Sequence, residues 1–558
     1  MNKLIGNKAK FLLTLGAVAV LACACGENTD PNAYVYTKFE GTPSELSTTI
    51  TWWNNYKVPA DGDTEENRKG STYREYFYAL DLISEFNKLY PNIKVETVNK
   101  GSYSEIQKAV NTGLNSGDTP NFATCYGDHV AGYSKVYATM DMSGFMDDET
   151  IGFGKGADGT STDTSTSKDD FSASYLNGEK SMYTSKTYES LPYSKSAECM
   201  AINKSVFDKV GAGECGVDTF YKDNPSYVAP VAASSKAKYE IPTNWTDLIK
   251  IGRQMKTDFP EVFSNNVDSD GYFTAVPICY DSAENMFISF ANMMNIPYTS
   301  NESTEVAKQI LFNNEAAKKL VVQLKKWNNE GILGIQNTNY LSDATKGYHQ
   351  YSSTMMTAGS CFVCFSSTAG ARYFADYNGG FTADIVSTPT IDDSIYGTGT
   401  PSTEPSKVIS QGPSLTFFRK ADKKEEYASW LFYKFLTNTT NSATLAKNTA
   451  YFPLRASSYK TDTVKTLTDA ADDTLEITSS YSDKVNTYTG KVLDLNSEYS
   501  ENDRYIYSPV FDLSSASRTA IGNLMSAVFN DHTSTTDAEI TAFVEKQFTE
   551  AYKTVVTE

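Results

Sequence analysis

The chain has 558 residues, a formal net charge of −19, 37 tyrosines and 29 phenylalanines. That length exceeds what one hydrophobic core organises, so two or more large lobes are expected. Such acidity argues against nucleic acid or an anionic lipid surface as a partner, since both require basic patches. So many aromatic rings imply that some stand in a groove as stacking faces.

In chain order, a leader comes first. Lys3, Lys8 and Lys10 precede an apolar run from Phe11 to Ala22, and Cys23-Ala24-Cys25-Gly26 follows. The run is shorter than the ~20 residues that span a bilayer. A basic start, an apolar stretch and small residues before a cysteine make a bacterial export signal with a lipobox, whose cysteine is acylated. Residues 1–22 are therefore read as a lipoprotein signal peptide. Cys23 and Cys25 both fit the acylation site, and the aliphatic Val20-Leu21 upstream favours Cys23. Each buried CH₂ of an acyl chain contributes about 0.8 kcal/mol, so two or three chains hold the protein on the extracytoplasmic face of the cell membrane. The polar stretch 23–47, with Pro31 and Pro43, reads as a flexible tether.

Strands and helices then alternate. Thr48–Trp53 is a β-branched and aromatic strand, Glu75–Leu89 an amphipathic helix, and Ile93–Val98 a second strand. Ser102–Leu114 follows as a helix whose Ser102 and Glu105 form a capping box, and Phe122–Tyr126 is a third strand. This alternation implies right-handed βαβ crossovers and a mostly parallel sheet. Residues 148–175 are rich in Gly, Ser, Thr and Asp and read as an inserted solvated loop. Leu191–Lys204 is extended and crosses between lobes. Helices are expected at Trp245–Met255, Ala283–Met294, Glu315–Asn329 and Glu425–Leu436, with strands at Ser360–Phe365 and Val408–Phe418. Two amphipathic helices close the chain near 517–529 and 537–555.

Six cysteines beyond the lipobox, Cys125, Cys199, Cys215, Cys279, Cys361 and Cys364, are too few for a disulfide scaffold. Cys361-Phe-Val-Cys364 has the spacing of a redox or zinc half-site but no Cys/His cluster beside it, so buried cysteines are expected. Cys199 and Cys215 are a possible disulfide pair in an oxidising compartment. His129, His349 and His532 are far apart in sequence, and no metal site is expected. No nucleophile elbow, zinc helix or phosphate loop is present, and no cofactor is implied.

Several segments in order resemble the sugar-type family 1 of extracellular solute-binding proteins, the lipoprotein receptors of ABC importers. They are Ile50–Asn54, Phe86–Val95, Gly101–Ile106, Ser116–Asn121, Leu191–Lys195 with Ile202–Phe207, Pro242–Leu248, Gln411–Leu415 and Ala450–Arg455. The resemblance implies an α/β, two-lobed periplasmic-binding-protein type II fold with a hinge and an interlobe cleft, each lobe a mixed, mostly parallel sheet flanked by helices. It divides the chain into a first lobe of 48–190 and 361–405 and a second lobe of 191–360 and 406–558. Extra sequence at about 148–175, 390–406 and 458–510 departs from the family's length.

It further implies a monomeric receptor that binds a mono- or oligosaccharide, performs no chemistry on it and delivers it to ABC permease subunits. In such folds the cleft is lined by the C-terminal ends of strands. That rule selects Trp52, Trp53, Asn54, Tyr126, Asp128, His129, Tyr193, Ser194, Ser366, Ser367, Thr368, Gln411 and Gly412 as ligand-binding residues. Trp52 and Trp53 face opposite sides of one strand, so at least one belongs to the core. Asp128 has the alternative role of a helix cap, and Tyr451 and Arg455 have structural alternatives. Two competing readings stand beside this one. A glycerol phosphate or other polyol phosphate ligand requires a basic cluster, for which Lys195, Lys204, Arg372 and Arg455 are the candidates. A surface glycosidase requires a carboxylate pair at catalytic spacing.

Overall fold

The computed structural model describes residues 31–69, 72–183, 185–208, 239–263, 273–335, 351–357, 359–375, 381–392, 406–476 and 478–557. The leader, Cys23, Cys25, Cys215 and His349 lie outside the described residues. The strands are β1 (Thr48–Asn54), β2 (Ile93–Asn99), β3 (Phe122–Cys125), β4 (Leu191–Pro192), β5 (Glu198–Asn203), β6 (Ile278–Tyr280), β7 (Leu333–Ile335), β8 (Val363–Ser367), β9 (Ala383–Val386), β10 (Val408–Ile409), β11 (Ser414–Phe417) and β12 (Tyr505–Ile506). They form two five-stranded sheets, ordered β2-β1-β3-β11-β4 and β7-β6-β8-β5-β9, and a ribbon β10-β12. In each sheet a parallel trio is extended by antiparallel strands. β1 lies between β2 and β3 in the first lobe, and β6 between β7 and β8 in the second. β11 and β5 join them antiparallel, because each enters from the opposite lobe.

Local sequence explains the framing helices. Arg74–Leu89 carries β1 across to β2 and buries Phe77, Tyr78, Leu82 and Phe86 on one face. Ser102 and Glu105 close the expected capping box on Tyr103–Ser116, and Gly117 ends that helix at φ 81°. Asn244 caps Trp245–Asp258 by accepting from the Asp247 N–H. Aromatic side chains anchor the core of each lobe. Trp52 packs against Phe122 and Phe432 in the first, and Trp245 stacks on Phe365, centroids 4.8 Å apart, in the second.

The pairing corrects the expected lobe assignment. β8 and β9, within the stretch 361–405 assigned to the first lobe, belong to the second sheet. β11, within 406–558 assigned to the second lobe, belongs to the first. The buried run Val363-Cys364-Phe365 fills the space between β5 and β6, and an apolar run of that kind carries no mark of which sheet it joins. The chain thus passes between lobes at about 193–198, 408–414 and 506–511.

Residues 31–47 are not a free tether. Tyr34 Oη donates to Glu426 Oε2 at 2.6 Å, Tyr36 Oη to Asp148 Oδ2 at 2.7 Å, and Tyr427 Oη to the Thr37 carbonyl at 3.0 Å. With Phe39 buried between them, this segment is a strap on the first lobe. The loop after it is fixed as well. Buried Lys434 donates from Nζ to the carbonyls of Ile151, Gly152 and Lys155, and Thr166, Phe171 and Tyr175 are buried, so 148–175 is ordered where a solvated loop was expected.

Cys361 and Cys364 are fully buried thiols with sulfurs 3.3 Å apart, and Cys364 Sγ donates to the Ser352 carbonyl at 3.1 Å. Among the described residues no group of His, Cys, Asp and Glu is arranged to hold a metal ion.

Candidate functional site

A cleft of about 1060 Å³ separates the lobes. From the first lobe, β3 ends directly at Tyr126, which caps the helix Gly127–Lys135 and places Asp128 in its first turn. Tyr126 is 37% exposed, and its ring lies 4.7 Å from that of Tyr103. From the second lobe, the end of β8 supplies Ser366 and Ser367, and the helix Ala283–Met293, capped by Ser282, opens onto the same space. The second crossing contributes Gln411 and Gly412.

That crossing is pinned to the first. The Ser196 N–H donates to the Gln411 carbonyl at 3.0 Å, the Gln411 N–H returns to the Ser196 carbonyl at 2.7 Å, and the Ser194 N–H donates to the Pro413 carbonyl at 3.0 Å. Gly412 has φ +86°, and a Cβ there would lie 1.8 Å from the Ser194 carbonyl oxygen. Only glycine allows the two crossing strands this approach.

Of the residues selected from sequence, Tyr126, Asp128, Ser366, Ser367, Gln411 and Gly412 line the cleft. The others do not. Trp52 is fully buried and donates from Nε1 to Thr124 Oγ1 at 2.9 Å, and Tyr193 is buried against it. Trp53 is buried beneath Lys100, whose Nζ lies 4.0 Å from the indole centroid. Asn54 is tied to Thr97 and to the Tyr56 N–H. Ser194 is buried in the hinge ladder, and Thr368 Oγ1 accepts from the Ala197 N–H at 3.1 Å. His129 is buried beside Tyr126, and burial holds its pKa below the usual imidazole value. β1 lies inside its sheet with packing on both faces, so both tryptophans are core.

The cleft also contains residues that the strand-end rule passed over. Glu198 opens β5, and because β5 runs antiparallel it is the N-terminal end of this strand that meets the cleft. Its Oε2 accepts from Tyr280 Oη at 2.8 Å and Ser289 Oγ at 3.0 Å. Burial raises its carboxyl to about 7 despite these donors. Asp281 follows β6 directly, accepts from the Ser352 N–H at 2.7 Å, and is raised by burial to about 6. Arg518 donates to Asn285 Oδ1 and lies 3.5 Å from Glu284. Burial works against its charge, but Glu284 and Asp128 outweigh that and raise its pKa. Tyr351 and Tyr373, 52% and 49% exposed, face the cleft from the second lobe.

The proposed basic cluster does not converge. Lys195 Nζ is 2.5 Å from Glu179 in a pair whose side chains are 6% and 1% exposed, and it also donates to Ser414 Oγ. Lys204 pairs with Asp208 at 2.6 Å. Arg372 donates to the Asn448 carbonyl, and buried Arg455 to the carbonyls of Thr437 and Ser167. Burial lowers the Arg455 pKa to about 10, and the residue serves the first-lobe core, with no part in a ligand site.

Two α/β lobes, three hinge crossings and a polar, tyrosine-flanked cleft define a type II periplasmic binding architecture. Residues 81–472 match the family of bacterial extracellular solute-binding proteins, and the chain belongs to that family. Membership makes it an extracytoplasmic, solute-binding protein. Among solved structures it is similar to UgpB from Mycobacterium tuberculosis in complex with glycerophosphocholine, with a TM-score of 0.56, 14% identity and coverage of 92% of this chain and 98% of that one. It is also similar to the MalE maltose/maltodextrin-binding domain from Bdellovibrio bacteriovorus bound to maltotriose, with a TM-score of 0.56, 11% identity and coverage of 92% and 100%. A third is Lmo0181 from Listeria monocytogenes in complex with cycloalternan, with a TM-score of 0.57, 12% identity and coverage of 92% and 98%. At such identities the likeness establishes the fold. No curated protein matches the sequence.

Proposed function

We propose that this protein is the receptor of an ABC importer, capturing a mono- or oligosaccharide between its lobes and handing it to a membrane permease. The carrying observation is the cleft lining. Tyr126 on one lobe faces a space shared with Tyr351 and Tyr373 on the other, with carboxyl, amide and hydroxyl groups between them. Apolar ring faces bordered by hydroxyls are the chemistry such a surface complements. Ligand bridging both lobes makes some contacts only when they close, and so shifts the equilibrium toward the closed form. Tyr126, Asp128, Ser366, Ser367 and Gln411 are the proposed first-choice ligand contacts, with Gly412 as the hinge position.

The phosphate reading is weaker here, because the cleft's buried lysine is already paired with Glu179. The anchor proposed for the chain is an acylated Cys23 or Cys25, which would hold a monomeric receptor near its permease and raise its effective concentration there. Mass spectrometry of membrane-extracted Cys23→Ala and Cys25→Ala variants distinguishes the two. For the ligand, the test is a thermal-shift screen of mono- and oligosaccharides beside glycerol phosphates. Stabilisation by a saccharide is expected. A response confined to phosphates, or release of reducing sugar from the oligosaccharides, would overturn the assignment.

A further inference from the structure

The second lobe meets the cleft with two faces of one sheet, and strand pairing separates them. β8 sets Ser367 opposite Glu198, so these two project from one side, where Tyr280 and Ser289 hold the carboxyl. Ser366 projects from the other side, since successive residues of a strand alternate. The Asp281 N–H donates to the Phe365 carbonyl at 2.9 Å, which carries the parallel β6–β8 ladder one residue past Tyr280. Asp281 therefore stands beside Ser366 on that second side, one strand spacing of about 4.8 Å away. Both residues line the cleft.

The protein orients one of these groups and leaves the other unsatisfied. The Ser352 N–H, at the start of the helix Ser352–Thr357, donates to Asp281 Oδ1 at 2.7 Å and fixes the carboxyl, which stays partly exposed. Ser366 is 5% exposed, and its buried Oγ has no hydrogen-bond partner. Its cross-strand neighbour Cys199 donates from Sγ to the Ser366 carbonyl at 3.6 Å, not to the hydroxyl. A buried hydroxyl left unsatisfied is costly unless something else supplies the bond. Aromatic faces stand on the segments next to this pair. Tyr351 directly precedes Ser352, and Tyr373 lies on the short helix Thr368–Ala375 that leaves β8. Both tyrosines are exposed and line the cleft.

We propose that Asp281 and Ser366 form one reading site for two adjacent hydroxyls of a single sugar ring, seated beside Tyr351 and Tyr373. This rests on the receptor function proposed above and specifies the sugar unit, which carries an unmodified vicinal diol. Burial raises Asp281 to about 6, so above neutral pH it is ionised and only accepts. The first ligand oxygen must therefore bear a proton, and its bond to the carboxylate is charge-assisted. The Ser366 hydroxyl takes the neighbouring oxygen as donor or acceptor. A deoxy carbon at either position leaves a buried polar group unpaired, which is how such a site rejects an analogue lacking one hydroxyl.

The test is calorimetric titration of the full mature chain with glucose, galactose, mannose and xylose and their di- and trisaccharides, followed by variants titrated with the tightest binder of that panel. Asp281→Asn, which keeps an acceptor for the Ser352 N–H, and Ser366→Ala should each weaken it by about tenfold or more. Because both residues read one diol, the double variant should lose little more than either single one. Free Ser366→Ala should melt at or above the parent's temperature, since the truncation removes an unsatisfied hydroxyl. A purely structural serine would lower it. Variant affinities within about threefold of the parent, losses that add in full, or a lowered melting temperature of Ser366→Ala overturn the diol site and leave the receptor function standing. Binding of no saccharide in the panel overturns both.

Discussion

At the scale of single residues, Trp52 and Tyr126 separate what holds the fold from what faces the ligand. Trp52 is fully buried, so Trp52→Ala should cost about 3–5 kcal/mol of stability, as large core truncations do. Tyr126 is exposed at the cleft, so Tyr126→Ala should leave the urea midpoint near that of the parent. It should weaken ligand by about 2 kcal/mol, the loss of an aromatic anchor. Denaturation and calorimetry on the pair read both effects. Glu198 adds a pH dependence. Its carboxyl is raised from 4.5 to about 7 by burial, so the folded chain keeps a proton that the unfolded chain releases. This contribution is complete below about pH 4.5 and is lost as the pH rises toward 7. At about 1.36 kcal/mol per unit the loss approaches ~3 kcal/mol. Glu198→Gln should flatten the fall in stability between those pH values, seen in melting curves across the range. An unchanged profile would mean that Glu198 ionises as an ordinary carboxylate.

At the scale of elements, the strap and the loop behind it carry the argument. Asp163 and Asp148 act on the Lys434 ammonium electrostatically, but among the described residues it forms no ion pair. It is held by the carbonyls of Ile151, Gly152 and Lys155, and burial lowers its pKa to about 8. Lys434→Met removes donors from buried carbonyls, so a loss of about 1–3 kcal/mol is expected. Faster amide exchange confined to 148–158 would show that the loop, and not the lobe, has loosened. Tyr34→Phe with Tyr36→Phe should likewise free the strap, read as earlier proteolysis within 31–47 with the melting temperature of the lobes little changed. Sequence made some of this legible. The Ser102–Glu105 capping box, the helix caps and the first three strands follow from local chemistry and appear as expected. The strap was concealed because Tyr34, Tyr36 and Phe39 are diluted in a polar stretch with prolines. Its partners, Glu426 and Asp148, are more than a hundred residues away in the chain.

At the scale of the whole molecule, sheet membership was the part sequence withheld. β8 and β11 look alike as short apolar strands, yet each joins the sheet opposite to the one expected, because pairing is set by contacts far apart in sequence. The cleft inherits the same limit. The rule of strand ends found Tyr126, Asp128, Ser366 and Ser367, where the strands run toward the cleft. It missed Glu198, where an antiparallel strand presents its beginning. The helix Tyr481–Glu501 extends this scale to the back of the hinge. Its Lys491 pairs with Asp384 of the second lobe at 2.8 Å, while Asn496 Oδ1 accepts from Tyr175 Oη of the first at 2.7 Å. Both lobes are therefore tied to one helix of the 458–510 segment. The measurement that tests the account most directly is small-angle X-ray scattering of the mature chain, free and saturated with the saccharide that stabilises it. Closure of the lobes about the cleft predicts a smaller radius of gyration and maximum dimension in the saturated sample. Identical scattering from the two, with calorimetry confirming that the sugar is bound, would contradict it.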